Sequence, residues 1–195
     1  MRQDKLGRVL AMAVTMTVLG MVHPAQAQPA SKAPVGEEHI MWVNHFALLP
    51  GDPSVTTSFN AISSSVGGGL TGLVIRSSTK GDTSPGGGNK VVHMGLQVPP
   101  GYIIKGVRVC YELSNRRSFI TQIRLSQIKD PPSSAMVKLD DGTDHTNPGP
   151  VCVDSASTAV DPSFGAVLLD LRVNFGDTSD KIVIRALGLH LSARP

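Results

Sequence analysis

Val167-Leu168-Leu169-Asp170-Leu171-Arg172-Val173-Asn174-Phe175 places Val167, Leu169, Leu171, Val173 and Phe175 at every second position, with Asp170, Arg172 and Asn174 between them. A period of two is the signature of a strand with one buried and one wet face. Working outward, Val92, Met94, Leu96 and Val98 alternate in the same way and end at Pro99-Pro100-Gly101. Tyr102 to Leu113 and Phe119 to Ile128 follow, separated by Ser114-Asn115-Arg116-Arg117, a connection of hairpin size. Lys181 to Leu191 changes apolar phase around Ala186 to Gly188, as a bulge would make it do.

Shorter candidates complete the set: Ile40 to Leu49, Val55 to Ile62, Leu70 to Arg76, Met136 to Leu139 and Val151 to Val153. Ser63 to Gly69 and Lys80 to Asn89 are loops by their Ser, Gly and Pro content. Twenty Gly, 14 Pro and the lack of an amphipathic helical pattern after residue 27 point to an all-β antiparallel sandwich of eight or nine strands, jelly-roll-like. An immunoglobulin-like sandwich is the alternative, although Trp42 precedes both cysteines and so breaks the cysteine–tryptophan–cysteine order of antibody domains.

The first 27 residues have a different character. Basic Arg2, Lys5 and Arg8 precede an apolar run from Val9 to Val22, and Ala25-Gln26-Ala27 supplies the small side chains that signal peptidase needs. An apolar helix of about 14 residues reaches roughly 21 Å, short of the bilayer's hydrocarbon core of about 30 Å. We therefore expect a signal peptide at 1–27 cut after Ala27, with Ala25 and Ala27 as the cleavage-site residues, a flexible leader at 28–38 and one sandwich domain at 39–195, with a secreted or periplasmic product. Three of the 18 Lys/Arg and one of the 15 Asp/Glu leave with the signal, so the formal charge falls from +3 to +1. No basic run longer than Arg116-Arg117 remains, which argues against a nucleic-acid partner. No stable membrane insertion is expected after cleavage.

Cys110 and Cys152 are the chain's two cysteines, and in an oxidising compartment an even count favours a disulfide. Val107, Val109, Tyr111 and Leu113 form the apolar side of their segment, so Cys110 shares the side of Arg108 and Glu112. Cys152 shares the side of Asp154, and two such strands can pair directly.

The segment Leu96-Gln97-Val98-Pro99-Pro100-Gly101-Tyr102-Ile103-Ile104-Lys105-Gly106-Val107-Arg108-Val109-Cys110-Tyr111 resembles a phrase of small secreted bacterial β-sandwich proteins. In those proteins one strand ends in Pro-x-Gly and the next runs apolar into an aromatic. The resemblance covers residues 90–191; it implies a sandwich completed by the two last strands, and it supplies no catalytic residues.

Chemistry is sparse. Gly81 to Gly86 has the spacing that opens a phosphate loop, but Gly87 stands where Lys is required. Asp140, Asp141 and Asp144 form the densest cluster of oxygen ligands and the one place where calcium is a candidate cofactor; Asp-Asp-Gly is equally ordinary turn chemistry. No zinc spacing occurs among the histidines, and His190 and His45 have no acid nearby in sequence. Arg108, Glu112, Arg124, Asp170 and Arg172 fall on outward positions and make the candidate binding face. The expected function is a non-catalytic binding or structural module for a protein or glycan. With one Trp, two Tyr and five Phe, several needed inside, protein contacts are favoured over sugar stacking. The alternative is a carbohydrate-active hydrolase or lyase using the acids, Asp154 among them, and arginines of a concave face.

Overall fold

The computed structural model describes residues 37–60, 72–129 and 134–194, all within one compact unit, Ala33–Pro195. The signal peptide with Ala25 and Ala27, most of the leader and the Ser63–Gly69 loop lie outside the described residues.

Eleven strands are present among these residues: β1 His39–Val43, β2 Leu49–Pro50, β3 Val55–Asn60, β4 Gly72–Ser77, β5 Val91–Leu96, β6 Tyr102–Leu113, β7 Phe119–Ile128, β8 Ala135–Asp141, β9 Val151–Asp154, β10 Ala166–Asn174 and β11 Ile182–Ala193. The first sheet runs β3-β4-β11-β6-β9, with β1 also paired to β11, and the second runs β2-β5-β10-β7-β8. Every pairing is antiparallel. Numbered from β4 to β11, the eight main strands are ordered first-eighth-third-sixth in one sheet and second-seventh-fourth-fifth in the other, which is the jelly roll. β1, β2 and β3 are additions at its margin.

This topology changes the meaning of two connections. Ser114 to Arg117 does not close a hairpin, because β6 and β7 lie in different sheets. Its turn is held by Asp180, whose carboxylate accepts from Asn115 Nδ2 and from Ser118 Oγ at 2.7 Å. The segment after Asp140-Asp141-Gly142 likewise crosses from β8 in the second sheet to β9 in the first. The stretch Ile40 to Leu49 is two strands rather than one: Asn44 caps a single 3-10 turn, His45–Ala47, by accepting from Phe46 N, and the chain changes sheets there.

The core is aliphatic. Val167, Leu169, Leu171 and Val173 of β10 face Val107, Val109 and Ile104 of β6 and Leu187, Leu189 and Leu191 of β11, all buried. Each such side chain contributes about 1.5–3 kcal/mol of transfer free energy. The expected bulge is real: the β11–β6 register shifts between Ile184 and Ala186, where β11 passes from pairing with β4 to pairing with β1.

The Gly-rich stretch before β5 is ordered by a residue outside it. Lys90 is fully buried, and its ammonium donates to the carbonyls of Thr79, Lys80 and Gly81 at 2.6, 2.6 and 3.0 Å. Burial holds its pKa below the usual lysine range, opposed by Asp52 and Asp82.

Candidate functional site

Five residues expected on one binding face are divided between two. Arg108 and Glu112 lie on β6 in the first sheet; Arg124, Asp170 and Arg172 lie on β7 and β10 in the second. Both sets face outward, so they stand on opposite sides of the sandwich.

On the first sheet, strand register builds a row. Trp42 pairs with Gly188, Gly188 with Arg108, and Arg108 with Asp154, so β1, β11, β6 and β9 each contribute one residue to one outer face. Trp42 is 56% exposed. Its ring lies over Gly188, where an added Cβ would stand 3.3 Å from both Cε3 and Cζ3. Arg108 donates through Nε and Nη2 to Asp154 Oδ1 and Oδ2 at 2.7 and 2.6 Å, a bidentate pair. The guanidinium of Arg108, with a further contribution from His190, draws the Asp154 pKa down to about 2. In the next outward row Ile40 pairs with His190. His190 Nε2 is 2.7 Å from Asp154 Oδ1, and Nδ1 is 2.8 Å from Glu38 Oε1. Beside it opens a cleft of about 190 Å³ lined by Glu38, Lys105, Asp154, Ser155, Ser157 and His190.

The row on the other side of Arg108 holds the disulfide. Cys110 and Cys152 are paired in register and bonded, fastening the four-residue edge strand β9 to β6 beside Asp154. Glu112, one row further, is engaged by Arg185.

The second sheet carries a charged row of its own. His93, Asp170, Arg124 and Asp140 are consecutive register partners across β5, β10, β7 and β8. Arg124 donates to both oxygens of Asp140 at 3.2 Å. Asp170 has His93 Nδ1 at 3.9 Å, and burial raises its pKa. Arg172 is paired instead with Asp82 at 2.6 Å.

Asp140, Asp141 and Asp144 do not converge. Asp140 is held by Arg124 and Gln122, while Asp141 accepts from the amides of Thr143 at 3.0 Å and Ala156 at 2.7 Å. Asp144 lines a separate shallow cleft with Asp82 and Arg172. Among the described residues, no three His, Cys, Asp or Glu side chains are grouped to hold a metal.

Sequence reasoning missed Trp42, Gly188, His190 and Glu38. The aromatics expected inside are partly outside: besides Trp42, Phe59 and Phe164 are 63% and 68% exposed, while Tyr111 and Phe175 are the aromatics fully buried. His190 finds its acid 36 residues away, across β6. The one signal available for Trp42 was its alternation with Met41 and Val43, which puts the indole on the face opposite to two apolar neighbours.

Among the described residues no helix is long and apolar enough to cross a membrane. No family model matches the chain, and no curated protein matches it. Three solved structures show a likeness, each at a TM-score under 0.5. A structure from work on the promiscuous specificity of carbohydrate-binding modules of the β-sandwich superfamily is 14% identical over 74% of this chain and 56% of that one, with a TM-score of 0.46. The CBM36-1 domain of a multidomain xylanase from the hindgut metagenome of Trinervitermes trinervoides is 12% identical over 78% of this chain and 96% of that one, at 0.39. A family two carbohydrate esterase from Cellvibrio japonicus is 12% identical over 82% of this chain and 36% of that one, at 0.32. Likenesses at these scores say nothing of what this chain binds.

Proposed function

We propose that this chain is an exported, non-catalytic binding module that takes a glycan on the outer face of its first sheet. The observation that carries this reading is the row Trp42–Gly188–Arg108–Asp154, in which an exposed indole laid over a glycine adjoins a fixed pair of planar hydrogen-bonding groups. A sugar ring offers an apolar face of C–H groups and an equatorial rim of hydroxyls. An indole complements the first, and a bidentate Arg–Asp pair the second. Rigid strands hold both, so little is lost in ordering them on binding.

A hydrolase needs two carboxylates free to face one bond. Asp154 and Glu112 are each engaged by an arginine, and Asp170 lies on the other sheet, facing away from both. That favours binding over turnover.

Trp42 is the chain's single tryptophan, so tryptophan emission, excited selectively over the two tyrosines, reports on this site alone. Titration with a panel of soluble neutral polysaccharides, such as xylan, glucan and mannan, should quench or blue-shift its emission with at least one member. Trp42→Ala should weaken that binding at least tenfold, measured by calorimetry or affinity electrophoresis; undiminished binding by Trp42→Ala overturns the reading.

A further inference from the structure

We propose that His190 is a proton-operated latch on this cleft, holding Glu38 across it when protonated and releasing it when neutral; this rests on the glycan-binding reading of the Trp42 face. Both ring nitrogens of His190 face carboxylate oxygens, Asp154 Oδ1 at 2.7 Å and Glu38 Oε1 at 2.8 Å. Only the imidazolium can donate from both nitrogens. A neutral ring turns a lone pair toward one of the two carboxylates, which must then move away.

The fold decides which one moves. Asp154 is fixed by two bonds from Arg108 and by the disulfide two residues earlier in β9. Glu38 stands just before β1, and its side chain is 52% exposed. Of the other groups around His190, Lys105 stands in the same cleft as Glu38 and is the cation to which a released carboxylate can turn. Ile40, opposite on β1, is apolar. His39 turns its ring against Tyr102 at 5.1 Å. From β6 come Lys105, which lines the cleft, and Arg108, which is committed to Asp154. Deprotonation therefore releases Glu38 from His190.

Two consequences follow for the site. Withdrawal of Glu38 opens the cleft of about 190 Å³ that it lines. The nitrogen it leaves behind becomes an acceptor directed at that space, suited to a sugar hydroxyl. Binding should strengthen as His190 loses its proton.

The latch can be tested without a ligand. Long-range proton–nitrogen spectra of the exported protein report the protonation of the His190 ring, and hydrogen exchange reports the amides of residues 38–41. Between pH 5 and pH 8, after correction for intrinsic exchange, loss of the ring proton should coincide with at least a fivefold loss of protection at those amides. In Glu38→Gln, protection should be low at both pH values. Constant protection while the ring titrates overturns the proposal. A second arm uses whichever soluble polysaccharide quenches Trp42: wild type should bind it at least threefold more tightly at pH 7.5 than at pH 5.5, and Glu38→Gln equally at both. Wild-type affinity that does not change with pH overturns the link between latch and binding. If no polysaccharide binds, the glycan reading fails on its own, and the exchange arm still decides the latch.

Discussion

Gly188 is the seat on which Trp42 lies: a Cβ there would come within 3.3 Å of the indole and within 2.7 Å of Cγ2 of Ile40. The bare position lets a large aromatic approach the sheet this closely and remain 56% exposed.

Gly188→Ala should therefore lift both side chains, and Ile40, β-branched and stiff at χ1, yields least. We expect a loss of stability of about 1–2 kcal/mol and a changed near-ultraviolet dichroism band for Trp42. An unaltered band and melting temperature would show that the indole does not rest there.

The disulfide joins Cys110 to Cys152 across a sequence separation of 42. In the chain-entropy model a loop of that size stabilises the fold by about 3–4 kcal/mol. The double variant Cys110→Ala/Cys152→Ala should lose stability of that order in urea unfolding. It should also fray β9, so that polysaccharide affinity falls even where the protein remains folded. Retained affinity in the folded variant would show that Asp154 keeps its place without the bridge.

The ion pair of Arg108 with Asp154 gives the acid limb of stability a definite sign. The Asp154 pKa lies at about 2 in the folded protein against 3.8 in an unperturbed aspartate. A depressed carboxylate stabilises the fold above its unfolded pKa, and that contribution disappears as pH falls from about 4 toward 2. Because Asp154 is 44% exposed, screening keeps the effect under about 1 kcal/mol. Arg108→Gln should flatten the decline in stability between pH 4 and pH 2; identical slopes in urea titrations would contradict it.

Lys90 is buried with three carbonyl partners. Lys90→Met keeps the length of the chain and removes the donors, leaving buried acceptors unmatched. The expected loss is about 2–4 kcal/mol, with increased proteolysis of the 79–89 segment. A loss under about 0.5 kcal/mol would mean that solvent replaces the ammonium.

The alternation along β10 and β6 was legible because a buried sheet face imposes its period on the side chains: Val167 to Val173 and Val107 to Leu113 point inward as their spacing requires. The cysteine pair was legible for the same reason, since two outward cysteines on paired strands leave one geometry. The site was not. Trp42, Gly188, Arg108 and Asp154 come from four strands scattered through the chain, and no local pattern records that β11 lies between β1 and β6. Ser114 to Arg117 shows the same limit, because a four-residue turn looks alike whether it returns within a sheet or crosses to the other one.

By itself, then, the sequence determined that this chain forms strands, which faces of them are buried, and that Cys110 and Cys152 are disposed to join. Those properties follow from side-chain periodicity and are local. Only the tertiary structure decided that Arg108 shares its face with Trp42 and His190 rather than with Arg124 and Asp170. Sheet membership is set by the packing of all the strands at once, and each strand reads the same whichever sheet receives it.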